Sequence, residues 1–189
     1  MIETKLFGVN FAADFTFFAT AAMFIFLDKS GFALLSMLVC IIHECGHLAA
    51  LLITRHRPES IMLRCGGAKI GLGSSDTSWF VLTAGSAVNI TVFLLLYFIF
   101  PKNDIYMIMF AVLNLAIGLF NLLPLGCLDG KRLLELLLPQ KAANVIEVIT
   151  LVVVILGIAA MFLYGNKVNF TLLAAILYVF CVDLFFKST

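Results

Sequence analysis

The stretch from Cys40 to Leu52, CIIHECGHLAALL, sets two histidines, a glutamate and a glycine inside a run that otherwise suits lipid. Ionisable groups at membrane depth are expensive, and they are kept where they do chemistry or line a wet cavity. On a helix, residues i and i+4 share a face, so His43 and His47 can direct two imidazoles at one metal ion. Glu44 follows the first of them and can reach a water bound to that metal, from which it would take a proton as general base. The pattern H-E-x-x-H thus has a chemical reason: two zinc ligands one turn apart, with a base beside them. Chance placement of 3 histidines and the five glutamates in 189 residues yields it in roughly one chain in a thousand. The bland alternative is a polar seam in which the histidines bond to neighbouring helices. Gly46 would let another backbone come close, and Cys45 reads as a small packing residue.

The surroundings of this helix are equally apolar. The chain is 63% hydrophobic and 12% charged, with a mean hydropathy of +1.13. Soluble domains run at about 45–50% apolar and 25% charged, so a soluble class is excluded. A net charge of +1 without a basic stripe argues against nucleic acid as a partner. Cysteines 40, 45, 65, 127 and 181 show no paired spacing, which predicts a reduced state. The first apolar run lacks an A-x-A cleavage site and reads as a retained helix, not a signal peptide.

A helix needs about 20 mostly apolar residues to cross a bilayer. Six stretches qualify: Phe7 to Leu27, Gly31 to Thr54, Trp79 to Phe100, Ile105 to Leu125, Val145 to Tyr164 and Val168 to Phe186. The segment ESIMLRCGGAKIGLGSS is too short and glycine-rich for a span, and Gly66-Gly67 between apolar stretches predicts a small hairpin. The expected fold is an all-α membrane protein of six transmembrane helices, with a short interfacial β-hairpin between the second and third. Residues 1–189 would form a single domain with its core at about 31–135. With six spans, both termini share a side with the 55–76 and 126–143 segments. That side carries Lys5, Arg55, Arg57, Arg64, Lys69, Lys131, Arg132, Lys141 and Lys187, against Lys29, Lys102 and Lys167 opposite. The excess places the termini in the cytosol.

A hydrolytic zinc site wants a third protein ligand and an open position for water. His56, the remaining histidine, lies nine residues after His47 beside two arginines and reads as interfacial. The third ligand is then a carboxylate. Glu135 and Glu147 read as helix-end charges, whereas Asp129 follows the fourth span, which returns the chain to the side of His47. His47 stands eight residues before Arg55, or about 12 Å along a helix, so the metal would sit inside the bilayer towards the cytosol. Pro124 and the glycines forbid regular helix from 124 to 130, and irregular backbone at that depth belongs against protein or a wet cavity. Asp129 can also be read as the N-cap of the GKRLLELLL turn.

The chain resembles the site-2 protease family of intramembrane zinc metalloproteases, most like its compact bacterial sporulation-type members. The resemblance rests on H-E-x-x-H and on N-x-x-P-x-x-x-L-D-G, present as Asn121, Pro124, Leu128, Asp129 and Gly130. AGSAVN, with Gly85 and Asn89, is similar to the family's G-P-x-x-N on the third span. It implies one zinc per chain on His43, His47 and Asp129, with Glu44 as the base. It further implies that Asn89 and Asn121 line the substrate path and hold a locally unwound backbone, while the hairpin at Gly66 and Gly67 guides substrate. The expected substrate is a membrane-embedded or membrane-tethered protein, a transcription factor precursor or an anti-sigma factor, in a bacterial cytoplasmic membrane. The chain departs from the family at Ser86 and Cys127, each where proline is common, and at Lys131, where a second glycine is usual. No room is seen for a PDZ or nucleotide-sensing domain, so regulation is expected from a membrane partner or from the substrate.

Two rival readings remain. A zinc or proton transporter would spread polar residues along a route through several spans, whereas here they cluster at one depth. A silent scaffold would have no use for Glu44.

Overall fold

A computed structural model describes residues 2–6, 9–28, 30–55, 58, 60–64, 67–71, 78–99, 104–126 and 128–164. They fall into two compact units, Met1–Phe120 and Asn121–Thr189. In the first, the order is β1 (Ile2–Leu6), β2 (Val9–Ala13), α1 (Phe15–Leu27), α2 (Phe32–Ile53), β3 (Ser60–Arg64), β4 (Gly67–Gly71), α3 (Trp79–Ile99) and α4 (Ile105–Asn121). The second contains α5 (Asp129–Leu137) and α6 (Gln140–Tyr164).

The expected all-α fold needs correction. The four strands form one sheet in the order β1-β2-β3-β4. The outer pairs are antiparallel, while β2 and β3 run parallel, with Asn10 opposite Ser60. The first span was expected to start at Phe7, yet helix begins only at Phe15. The reason lies in the period. IETKL sets Ile2, Thr4 and Leu6 on one side and the charged Glu3 and Lys5 on the other, a period of two that suits a strand paired with β2. Phe11, Ala12 and Ala13 supply apolar length that a hydropathy window cannot tell from helix. Ala12 and Ala13 are buried in the sheet.

Among the described residues, three helices are long and apolar enough to cross a membrane: α2, α3 and the Gln140–Gly157 part of α6. α1 and α4 are shorter apolar helices. The expected span at 168–186 lies outside the described residues. The helices of the first unit are inside-out by the standard of a soluble protein. α2 buries Val39, His43, Gly46, His47, Ala50 and Leu51 and exposes Leu34, Leu38 and Ile41. α3 buries Gly85, Ser86 and Asn89 and exposes Leu94, Leu95 and Phe98. Small and polar residues inside with large apolar residues outside is the arrangement that lipid favours, because hydrocarbon rewards close helix contact rather than apolar burial.

α2 and α3 meet at glycine. A Cβ added at Gly46 would stand 2.9 Å from both the Ala84 carbonyl oxygen and the Gly85 Cα. Those are backbone atoms and cannot swing aside. Beside this contact Ala50, Leu51 and Val81 form a small apolar core with Leu48 and Ala84 against it. The turn into α2 is fastened by Asp28, whose Oδ2 accepts from Ala33 N–H at 2.6 Å and whose Oδ1 accepts from Ser30 N–H at 2.9 Å. These bonds, that to Ala33 first, hold its carboxyl below the ordinary carboxylate range.

Replacing Gly46 by valine should push α3 off α2 and cost about 1–3 kcal/mol. Thermal unfolding of the detergent-purified protein is the measurement. Leu52→Val, on the exposed face, serves as the control and should leave the midpoint in place.

Candidate metal centre

The site is built on α2. His43 and His47 are both buried, at 4% and 7% exposure. Their Nε2 atoms lie 3.1 Å apart and their rings are inclined at 81°. Two nitrogens about 2.05 Å from one tetrahedral zinc stand about 3.3 Å apart. The pair therefore has the spacing of two ligands sharing an ion.

α3 fixes how the rings face. His47 Nδ1 lies 2.7 Å from the carbonyl oxygen of Val81. A carbonyl only accepts, so Nδ1 carries the proton and the neutral ring presents the Nε2 lone pair towards His43. Such a bond from the far nitrogen is the usual way a zinc-bound imidazole is held in its tautomer. The Asn89 amide nitrogen lies 3.4 Å from His43 Nδ1. Gly85 lies directly over both rings: a Cβ there would be 2.5 Å from His47 Nε2 and 2.8 Å from His43 Nε2. Glycine in AGSAVN thus has a local reason. Any side chain at 85 would enter the space where the two lone pairs meet.

Glu44 sits next to His43 on α2 and is half-buried. Cys45 is exposed and reduced, so it faces away from the buried pair and is no ligand. Asn89 lies in uninterrupted helix, is fully buried and packs on His43. Asn121 is the last residue of α4, where regular helix stops. Gly67 opens β4, opposite Arg64. Gly66 and Cys127 lie outside the described residues.

In the second unit, Asp129 is the first residue of α5, and the cap position belongs to Leu128. The N-cap reading of Asp129 is therefore set aside. The chain before it is folded as a tight, non-helical turn: Leu125 N–H donates to Leu123 O, Leu128 N–H donates to Leu125 O, and Gly126 has φ +51°. Gly130 packs on the backbone of Leu122 and Leu123, where a Cβ would collide with the Leu122 carbonyl. The glycine of L-D-G is thus what lets the turn fold back on the helix that follows.

One feature of this turn escaped the sequence reading. Lys131 is buried, at 5% exposure, and its Nζ donates to Glu147 Oε2 at 2.6 Å and to Asn144 Oδ1 at 3.2 Å. Glu147 Oε1 accepts from Gly126 N–H at 3.0 Å. One carboxylate of α6 therefore ties the turn before Asp129 to the helix after it. The lysine that stands in place of a second glycine is half of this buried pair. Lysine and glutamate sixteen positions apart give no motif, and only the packing of α5 on α6 brings them together.

A helix long and apolar enough to cross a membrane points two imidazoles at one position with a glutamate beside them, an arrangement that could hold a metal ion. Comparison with known proteins agrees. Residues 102–164, about a third of the chain, match the model of peptidase family M50. Among solved structures the chain is similar to the site-2 protease from Methanocaldococcus jannaschii, with a TM-score of 0.62 and 21% identity over 94% of this chain and 91% of that one. At that identity the likeness is one of fold. No curated protein matches by sequence. The resemblance to site-2 proteases read from the motifs is thus met by a family match on the Asp129 segment and by a shared fold across the chain. Both matches are peptidases by description, the family over the Asp129 segment and the solved structure over the fold.

Two substitutions test this geometry. Gly85→Ala should weaken zinc binding at least tenfold with helix content kept, as read by chelator competition and circular dichroism. Glu147→Ala should cost about 1–3 kcal/mol, because it removes the nearer carboxylate from buried Lys131 and leaves Glu135 at 3.6 Å and Asn144 at 3.2 Å as its partners. The double change Lys131→Met with Glu147→Leu should return most of the thermal stability.

Proposed function

We propose that the chain is an intramembrane zinc protease that cuts a membrane-embedded or membrane-tethered protein, with a transcription factor precursor or an anti-sigma factor as the substrate type. We place it in a bacterial cytoplasmic membrane with both termini cytosolic. The observation that carries the reading is the pair of Nε2 atoms 3.1 Å apart on a lipid-facing helix, with Glu44 beside them. His43, His47 and Asp129 would hold one zinc per chain. Two imidazoles and a carboxylate leave a fourth position open, which suits a hydrolytic site. Bound there, zinc would supply a Lewis acid for the scissile carbonyl and would acidify a water.

The chain's own residues carry the proton. Glu44 accepts it from the attacking water and delivers it to the amide nitrogen as the peptide bond breaks. Val81 holds His47 in the tautomer that leaves Nε2 unprotonated. Asn121, at the end of α4, and the hairpin at Gly66 and Gly67 would receive the substrate segment. That segment must leave its helix first, since a helical amide is already hydrogen-bonded and crowded on all sides. Helix-breaking residues near the cut should therefore favour cleavage. A membrane partner is the expected source of regulation.

The test uses purified full-length protein in lipid vesicles, with a single-span protein bearing glycine and proline in its membrane segment as the probe. Near one zinc per chain is expected, lost in His43→Ala and Asp129→Ala and kept in Glu44→Gln. Glu44→Gln should cut the probe about 10²–10⁴-fold more slowly. Leucine in place of the probe's helix breakers should protect it. Zinc retained without Asp129 would move the third ligand elsewhere, and an equal rate on the leucine probe would end the unwinding argument.

A further inference from the structure

We infer that Asn89 is a positioning residue for the metal centre: its side-chain carbonyl accepts from His43 Nδ1–H and so fixes the tautomer that gives His43 Nε2 to the metal. The inference rests on the zinc reading above and assigns Asn89 a part other than lining a substrate path.

The argument starts from what each imidazole needs. A neutral ring that ligates through Nε2 must carry its proton on Nδ1, and a buried N–H must find an acceptor. His47 has the Val81 carbonyl. For His43 the group facing Nδ1 is the Asn89 side-chain amide, whose nitrogen is 3.4 Å away. With the nitrogen end turned to the ring, the amide can only donate. His43 Nδ1 would then be the acceptor, its proton would move to Nε2, and Nε2 would point an N–H at His47 rather than a lone pair at a metal. The same orientation leaves the other end of the amide stranded. Asn89 Oδ1 is buried, without a hydrogen-bond partner, in a residue of 0% exposure.

A half-turn of the amide restores the ligating tautomer and gives Oδ1 a donor, with the NH2 taking the place that Oδ1 held. The two ends are nearly the same shape, so the turn needs no extra room. It brings Oδ1 to His43 Nδ1 as an acceptor and frees the Nε2 lone pair. Both histidines then receive their orientation from α3, one from the Val81 carbonyl near its start and one from Asn89 two turns later. This is the pattern in which an outer partner sets the tautomer of a metal-binding imidazole, and losing such a partner commonly weakens metal binding about 10–100-fold. The packing fits a side chain held in place: a Cβ added at Gly118 of α4 would lie 3.2 Å from Asn89 Cβ, so the asparagine stem has little freedom.

The deciding experiment is zinc affinity by chelator competition on the full-length protein in detergent, for wild type, Asn89→Asp and Asn89→Leu. Aspartate offers only acceptors. It should keep the wild-type affinity within a few-fold or tighten it. Leucine keeps the branched shape, is bulkier and has no acceptor; it should weaken binding at least tenfold, while thermal unfolding shows whether each variant remains folded. Equal affinity in wild type and Asn89→Leu would overturn the inference by reducing Asn89 to a packing residue. Loss of zinc in a folded Asn89→Asp would overturn it as well, because the amide would then be needed as a donor. Absence of zinc from the wild type itself would remove the metalloprotease reading, and this inference with it.

Discussion

The buried imidazoles of α2 cannot be left to lipid, and most of the first unit can be understood as the means of covering them. Hydrocarbon offers no hydrogen bond to a ring nitrogen, so each one must find a protein partner or a ligand. The cover is α3, and it can come near enough only because the helices meet glycine against backbone at Gly46 and Gly85. That contact puts the Val81 carbonyl and the Asn89 amide within reach of the two far nitrogens. It also leaves an open notch over the near ones. A bulkier residue at Gly46 would hold the helices apart, and one at Gly85 would fill the space beside the two Nε2 atoms. Closeness of backbone, rather than apolar burial, is therefore the quantity on which the site depends.

A second arrangement serves the chain around Asp129. Proline and glycine stop the helix after Asn121, and a turn of that kind is normally loose. Here it is tightened from two sides, by Gly130 lying on the Leu122 carbonyl and by Glu147 taking the Gly126 amide. Lys131 completes the fastening by neutralising that carboxylate. The polar atoms are used twice over: each holds backbone and also balances charge that would otherwise be costly to bury.

These parts differ in how visible they were in the residues alone. The histidine pair was legible because its spacing is set by the helix itself, four residues being about one turn. The break after Asn121 was legible because proline and glycine act locally. The strands β1 and β2 were not, since five-residue elements with apolar residues at most positions merge with a neighbouring helix in any long hydropathy window. The neighbour of Asn89 was not legible for another reason. A motif reports that an asparagine is present, but which group it faces is decided by the α2–α3 crossing, and that depends on Gly46 and Gly85 together. The roles of Lys131 and Glu147 needed the α5–α6 packing, which no short-range pattern encodes.

The parallel pairing of β2 with β3 has a consequence for the order in which the molecule is assembled. Asn10 lies opposite Ser60, so β2, made before α1, waits with one edge unpaired until α1 and α2 have both left the ribosome. Pairing of such distant segments is slow, because the chain between them must be closed before any contact repays the lost entropy. The helix bearing His43 and His47 is therefore threaded into the bilayer while the sheet is still open, and α3 follows later still. During that interval neither imidazole has its partner on α3. The sheet then closes on two helices already made, joining the beginning of α1 to the chain that leaves α2, and so acts as a clasp on a finished loop rather than as a nucleus from which the loop grows.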